Sequence, residues 1–307
     1  MAAHRRLACM VAGMLLAVAA CGSTDDEGPA PSALDDDAVT VASFDFPESR
    51  VLAEVYAQAL EAGGFEVRRA VDLGPREFVE PALARGLVEL VPEYAGTALQ
   101  FLSAGAVTPF ADPVATDDAL RAAVAGTGVT ALESAPAQDA NAIVVTPATA
   151  TRYGLRTISD LRPIASELTF GGPPECPSRP LCLLGLQDTY ALDFDEFIPL
   201  DAGGPLTRQA LRGGHVEVAL LFTTDPTIEG EPLVELVDDR GLQPAENVTP
   251  LVRREAVDRF GAELVAVIDG VSAQLTTEGL REMNAALEEG RAPADVAGAW
   301  LAGRISP

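Results

Sequence analysis

The sequence predicts an α/β protein built as two lobes. Short β-rich runs alternate with segments whose apolar residues recur at helical spacing, the pattern of βαβ units around largely parallel sheets. About 270 residues follow an acidic N-terminal stretch, enough for two such lobes.

Residues 38–43 are the first β-rich run. Over 49–62 the apolar positions Val51, Leu52, Val55, Tyr56, Ala59 and Leu60 share one helical face, and Gly63-Gly64 ends that helix. A strand (65–71), a helix (75–86) and a strand (87–91) follow. The middle of the chain predicts strands at 141–146, 168–171, 197–200 and 216–222, with helices at 149–153 and 206–213. After a strand at 246–252 the chain turns helical over 255–260, 264–275, 278–289 and 294–301. A chain that builds one lobe, crosses, builds a second and returns has two crossing strands, expected near 140–145 and 245–252 and able to act as hinges. One lobe then comprises 38–140 and 246–307, the other 141–245, with the ligand expected between them at the strand ends.

The N-terminus reads as an export signal over residues 1–20. Arginines 5 and 6 precede a charge-free apolar run over 7–20, too short for a bilayer core that needs about twenty residues. The run ends in Val18-Ala19-Ala20-Cys21, which resembles a bacterial lipobox and implies a diacylglyceryl anchor on Cys21. An ordinary secretory cleavage is the alternative. Two acyl chains suffice for stable attachment where one does not. Residues 21–37 are polar and acidic and read as a flexible tether. The protein is thus expected outside the cytoplasm, held on the outer face of the cell membrane. Cys9 leaves with the signal and Cys21 carries lipid, so Cys176 and Cys182 are expected to pair as a disulfide in an oxidising compartment.

The net charge of −25, with every basic residue an arginine, argues against nucleic-acid binding. Enzyme readings fare poorly. His215 is the single histidine beyond the signal, and it sits in a Gly213-Gly214 turn. No nucleophile elbow, phosphate loop or zinc-binding histidine pair is present. The glycines at 171–172 and 203–204 have turn chemistry. No metal or cofactor is expected.

Five ordered blocks carry a resemblance. They are Ser43-Phe44-Asp45-Phe46-Pro47-Glu48-Ser49 with the helix after it, Val91-Pro92-Glu93-Tyr94-Ala95-Gly96-Thr97, Leu168 to Glu175, Leu200 to Thr207, and Phe222-Thr223-Thr224-Asp225-Pro226. Over nearly all its length beyond the signal, the chain resembles the substrate-binding proteins of glycine betaine/choline/carnitine ABC importers. That resemblance implies the type II periplasmic-binding-protein fold and capture of a quaternary-amine osmoprotectant by lobe closure. It also implies a permease and an ATPase as partners. A receptor of the same fold for another small polar or aromatic solute is the alternative, as is a lipoprotein sensor outside transport.

The family holds its ligand in an aromatic cage, where ring faces attract an ammonium that has no hydrogen to donate. Tyr94 falls where the family has a cage tyrosine. Three other positions depart from the pattern: Asn141, Phe222 and Glu246 stand where aromatic residues are common. Phe222 retains a π face, or else ends a strand as a core residue. Glu48 and Glu246 are carboxylates suited to a cation. Thr223, Thr224 and Asp225 end a strand facing the expected cleft, Asp225 with a capping role as the alternative. Asp45, Phe46, Thr97 and Asn247, in or beside the same stretches, complete the expected ligand contacts.

Overall fold

The computed structural model describes residues 37–304, apart from 109, 202, 231–232 and 303. The expected signal, Cys21 and all but the last residue of the expected tether lie outside these. The chain opens with β1 (Ala38–Ala42), α1 (Pro47–Ala62), β2 (Glu66–Ala70) and α2 (Arg76–Ala84). It continues with β3 (Leu90–Tyr94), α3 (Ala95–Leu102), α4 (Pro113–Val124) and β4 (Val129–Ala131). A second series comprises β5 (Asn141–Val145), α5 (Pro147–Tyr153), β6 (Thr169–Gly172), α6 (Leu183–Tyr190), β7 (Glu196–Pro199), α7 (Pro205–Arg212), β8 (Val218–Phe222), α8 (Thr227–Gly230) and β9 (Val234–Glu235). The chain then returns through β10 (Val248–Arg253) to α9 (Arg254–Ser272), α10 (Thr277–Glu288) and α11 (Pro293–Ala302).

These strands form two five-stranded sheets, ordered β2-β1-β3-β10-β4 and β7-β6-β8-β5-β9. In the first, β1 is parallel to β2 and β3, whereas the returning β10 is antiparallel to β3 and β4. In the second, β6 is parallel to β7 and β8, and β5 is antiparallel to β8 and β9. Each sheet carries apolar clusters on both faces. Val39 and Val41 pack with α1 and the C-terminal helices, while Val91 and Leu251 pack with residues of α2 to α4. Ile143 and Val145 belong to one cluster of the second sheet, Ala142 and Val144 to the other. A strand covered on both sides reads as a near-continuous apolar run, as Ala38–Ala42 does.

Several elements depart from the expectation. The third strand lies three residues later than expected, with Pro92 inside it. Pro92 stands opposite Pro250 in the register, and the β3–β10 bonds flank them, from Arg253 to Glu89 and from Ala95 to Asn247. Neither ring therefore costs that pair a bond. The helices α3, α4 and α6 were not expected. The last two, at 12 and 8 residues, follow turn-rich stretches that hide their periodicity. Helix α9 joins the two expected segments 255–260 and 264–275 through Gly261, whose φ of 70° breaks the helical path between them.

The crossings also lie earlier than expected, because β5 and β10 are sheet strands throughout. The chain passes between sheets over 132–140 and 236–247. The two crossings meet side by side, with Gln138 bridging Asn247 and the Asp139 amide donating to the Glu246 carbonyl at 3.0 Å. Cys176 and Cys182 form the expected disulfide, buried under the second sheet.

Candidate functional site

A cavity of about 630 Å³ opens between the two sheets where the crossings run, within the usual size of small-molecule sites. Both sheets contribute walls. Phe46 immediately precedes α1, Pro47 and Glu48 come from its first turn, Tyr94 from the end of β3 and Thr97 from the start of α3. Asn141 begins β5, Phe222 ends β8, and Thr224, Asp225 and Pro226 follow it.

Aromatic faces occupy both walls. Phe46 and Tyr94 lie with ring centroids 6.1 Å apart, tilted by 31°, and Phe44 stacks behind Phe46 at 5.8 Å. Across the cavity the Phe222 ring rests over Gly203, where a Cβ would come within 2.7 Å of the ring and where φ is +69°. Only glycine suits both demands. The Gly203-Gly204-Pro205 turn thus does more than reverse the chain: it shapes the ring's seat and opens α7, whose first amides bind Asp201.

Carboxylates line the same cavity. Glu48 is buried, accepts from the Tyr94 hydroxyl at 2.7 Å and from the Asn284 amide at 2.6 Å, and thereby ties α1 to β3 and α10. Glu246 is buried on the second crossing and accepts from both the amide and the hydroxyl of Thr97. Burial pushes it up to about 7 in spite of those bonds. Asp139 accepts from the Thr224 hydroxyl at 2.8 Å, and burial, then the nearby charge of Glu48, holds it well above the usual carboxylate range. Beneath this floor Glu93 holds Arg76 through two bonds of 2.6 and 2.8 Å. Arg76 in turn lies 5.1 Å from the centre of the Phe44 ring.

Of the residues expected to meet a ligand, Phe46, Glu48, Tyr94, Thr97, Asn141, Phe222, Thr224, Asp225 and Glu246 line this cavity. Asp45, Thr223 and Asn247 do not. Asp45 is exposed, and its carbonyl accepts from Arg50. The Thr223 hydroxyl instead braces the first crossing, accepting from the Ala140 amide at 3.0 Å. Asn247 likewise braces it, donating to the Ala135 carbonyl at 2.8 Å. Asn141, at an expected aromatic position, spends its amide hydrogens on the Leu181 carbonyl and on Gln243. Asp225 lines the cavity and also takes the expected capping role, accepting from the amide and the hydroxyl of Thr227.

Sequence reasoning missed Asp139, Arg208, Asn284 and Glu288, all of which line the cavity. Arg208 had a signal, one turn into the helix after the Gly203-Gly204 block. Asn284 and Glu288 had none, because α10 reaches the cleft from far along the chain. On α10 the side chains at 281, 284 and 288 face the second sheet's half of the molecule. Arg281 donates to the Thr223 carbonyl at 2.7 Å, Asn284 to the Thr224 carbonyl at 3.1 Å, and Glu288 accepts from Arg208 at 2.7 Å.

Comparison with known proteins places this arrangement. A glycine-betaine-binding protein of Pseudomonas aeruginosa is 25% identical over 268 residues, 83% of this chain and 84% of its own length. The carnitine transport binding protein OpuCC of Listeria monocytogenes is 23% identical over 256 residues, 81% and 80% of the two chains. A crystal structure of a glycine betaine/carnitine/choline ABC transporter superposes with a TM-score of 0.76 at 25% identity, covering 86% of this chain and 98% of that one. The fold is that of the type II periplasmic binding proteins. The family model for the substrate binding domain of ABC-type glycine betaine transport systems matches residues 37–303, and the chain belongs to that family.

Proposed function

We propose that the protein captures a small quaternary amine between its lobes and hands it to the permease of an ABC importer. The observation that carries this reading is the composition of the cleft: rings of Phe46, Tyr94 and Phe222 on opposing walls, lined together with the Glu48, Asp139 and Glu246 carboxylates. A quaternary ammonium offers no hydrogen to a carboxylate, so its attraction to this site comes from ring faces, each contributing roughly 0.5 to 2 kcal/mol, and from the surrounding negative charge. The division into lobes of 38–140 with 246–307 and of 141–245 belongs to the same proposal. Lobe closure supplies the dehydration that makes such contacts effective.

Titration calorimetry with choline, glycine betaine and carnitine tests it. Micromolar or tighter binding of any of these supports the assignment, and no binding of any of them removes it. The acid-rich wall favours a second reading, a cationic solute with N–H donors that carboxylates can accept. Ethanolamine against choline separates the two, since only the second reading has the primary amine bind more tightly. The reading includes an exported lipoprotein held through Cys21. Cys21→Ala then releases the protein from the membrane fraction, and continued membrane association of that variant refutes the anchor.

A further inference from the structure

We infer that Glu288 is a positioning residue that makes the cleft favour cations over zwitterions by occupying Arg208. The inference rests on reading the cleft as a quaternary-amine site. Among the described lining residues Arg208 is the one cationic side chain, against the acids Glu48, Asp139, Asp225, Glu246 and Glu288. It is therefore the natural receptor for a ligand's carboxylate, which its planar fork fits with two parallel bonds.

That fork is already engaged at both ends. One terminal nitrogen donates to Asp225 at 2.9 Å, the other to Glu288 at 2.7 Å. The two partners differ in kind. Asp225 lies on the same side of the cleft as Arg208, its side chain 3% exposed and its other oxygen bound by Thr227. Glu288 reaches across from α10 and is 44% exposed. Asp225 is thus a permanent counter-ion, and Glu288 a removable one supplied by the opposite side.

A zwitterion such as glycine betaine carries a carboxylate that must displace Glu288 to reach the guanidinium. The displaced Glu288 then stays beside it as a like charge. Choline carries a hydroxyl in that place and meets neither obstacle. Replacing Glu288 with a neutral amide removes the repulsion and leaves that prong of the fork with a weaker acceptor, which a ligand carboxylate displaces more easily. Glycine betaine gains on choline as a result.

The test is calorimetric titration of wild type, Glu288→Gln and Glu288→Gln combined with Arg208→Lys, with choline and glycine betaine as probes. These share the trimethylammonium head and differ at the carboxylate. Loss of the Arg208–Glu288 contact weakens closure for both alike, so the ratio of the two dissociation constants is the readout. Glu288→Gln is expected to move that ratio toward glycine betaine by about tenfold, the scale of one charged hydrogen bond. The lysine keeps a cation beside buried Asp225 but lacks the fork, and in the combined variant it cancels most of that shift. A ratio that Glu288→Gln leaves unmoved overturns the inference, as does a shift that survives undiminished with lysine at 208. If wild type binds neither probe, the proposed function has failed and this role falls with it. If wild type binds choline and the ratio stays fixed, the role of Glu288 falls alone.

Discussion

Tyr94 lines the cavity and donates its hydroxyl hydrogen to Glu48 at 2.7 Å, joining the end of β3 to the first turn of α1. The ring and the hydroxyl therefore make separable contributions. Tyr94→Ala removes both and is expected to weaken quaternary-amine binding by about five- to thirtyfold, or roughly 1 to 2 kcal/mol. Tyr94→Phe keeps the face and removes only a donor to Glu48, so its loss is smaller. Equal losses in the two variants would assign the effect to the hydroxyl.

Protonation of Glu246 sets a pH dependence whose sign follows from its position. Burial lifts it from the ordinary 4.5 to about 7 in the folded protein. Between those values the folded, ligand-free protein keeps a proton that the unfolded chain has released, so stability falls as pH rises through that window. Cation binding runs the other way, since an onium favours the ionised carboxylate. Affinity rises as pH climbs through about 7, with proton release on binding. Asp139 is raised too and acts in the same direction on both. Glu80, pushed up to about 9 largely by burial, is not among the cavity's lining residues and adds only to the fall in stability. Glu246→Gln isolates one contribution. Melting temperature and choline affinity measured from pH 5 to 8 are both expected to flatten in this variant.

The Cys176–Cys182 bond closes a short loop whose sulfurs are buried against Leu186 and Phe170 in the second sheet's core. Replacing both cysteines with serine is expected to cost about 2 kcal/mol by loop entropy, with an added penalty for burying two hydroxyls. The midpoint of urea unfolding reads this. Thiol counting on the denatured, unreduced protein is expected to find neither sulfur free.

Asn284 bridges Glu48 on α1 and the Thr224 carbonyl beyond β8, so it links the two walls of the cleft. Asn284→Ala is expected to loosen ligand-free closure and raise the radius of gyration seen by small-angle scattering. Saturating ligand restores compactness. An unchanged radius in the ligand-free variant would show that the remaining α10 contacts hold closure by themselves.

Gly96 touches the second crossing: a Cβ there would lie 2.7 Å from Pro244 and 2.9 Å from the Ala245 carbonyl. Gly96→Ala is expected to push the crossing away and disturb the bonds from Thr97 to Glu246. Overpacking of this kind costs roughly 1 to 3 kcal/mol, visible in thermal unfolding.

The sheets were legible because their strands are local apolar runs, and Ala38–Ala42 or Asn141–Val145 stand out without context. The cleft was only half legible. Glu48, Tyr94 and Phe222 sit at element ends that the resemblance marked. Asp139 lies on a crossing with no periodicity, and Glu288 becomes meaningful only when α10 folds back against Arg208. Thr223 and Asn247 were expected at the cleft, which they do not line, for a related reason. Polar residues near a cleft and polar residues bracing a backbone have the same composition, and only their partners distinguish them.

The position of β10 imposes an order of assembly on a chain that emerges from its N-terminus. All strands of the second sheet lie within 141–235, a continuous stretch. The first sheet lacks the strand between β3 and β4 until residues 248–253 appear. Until then β4 has no neighbour to pair with, and the Glu246 floor of the cleft does not exist. The later-encoded sheet can therefore be complete while the earlier one is still open, and binding competence arrives only with the last fifth of the polypeptide.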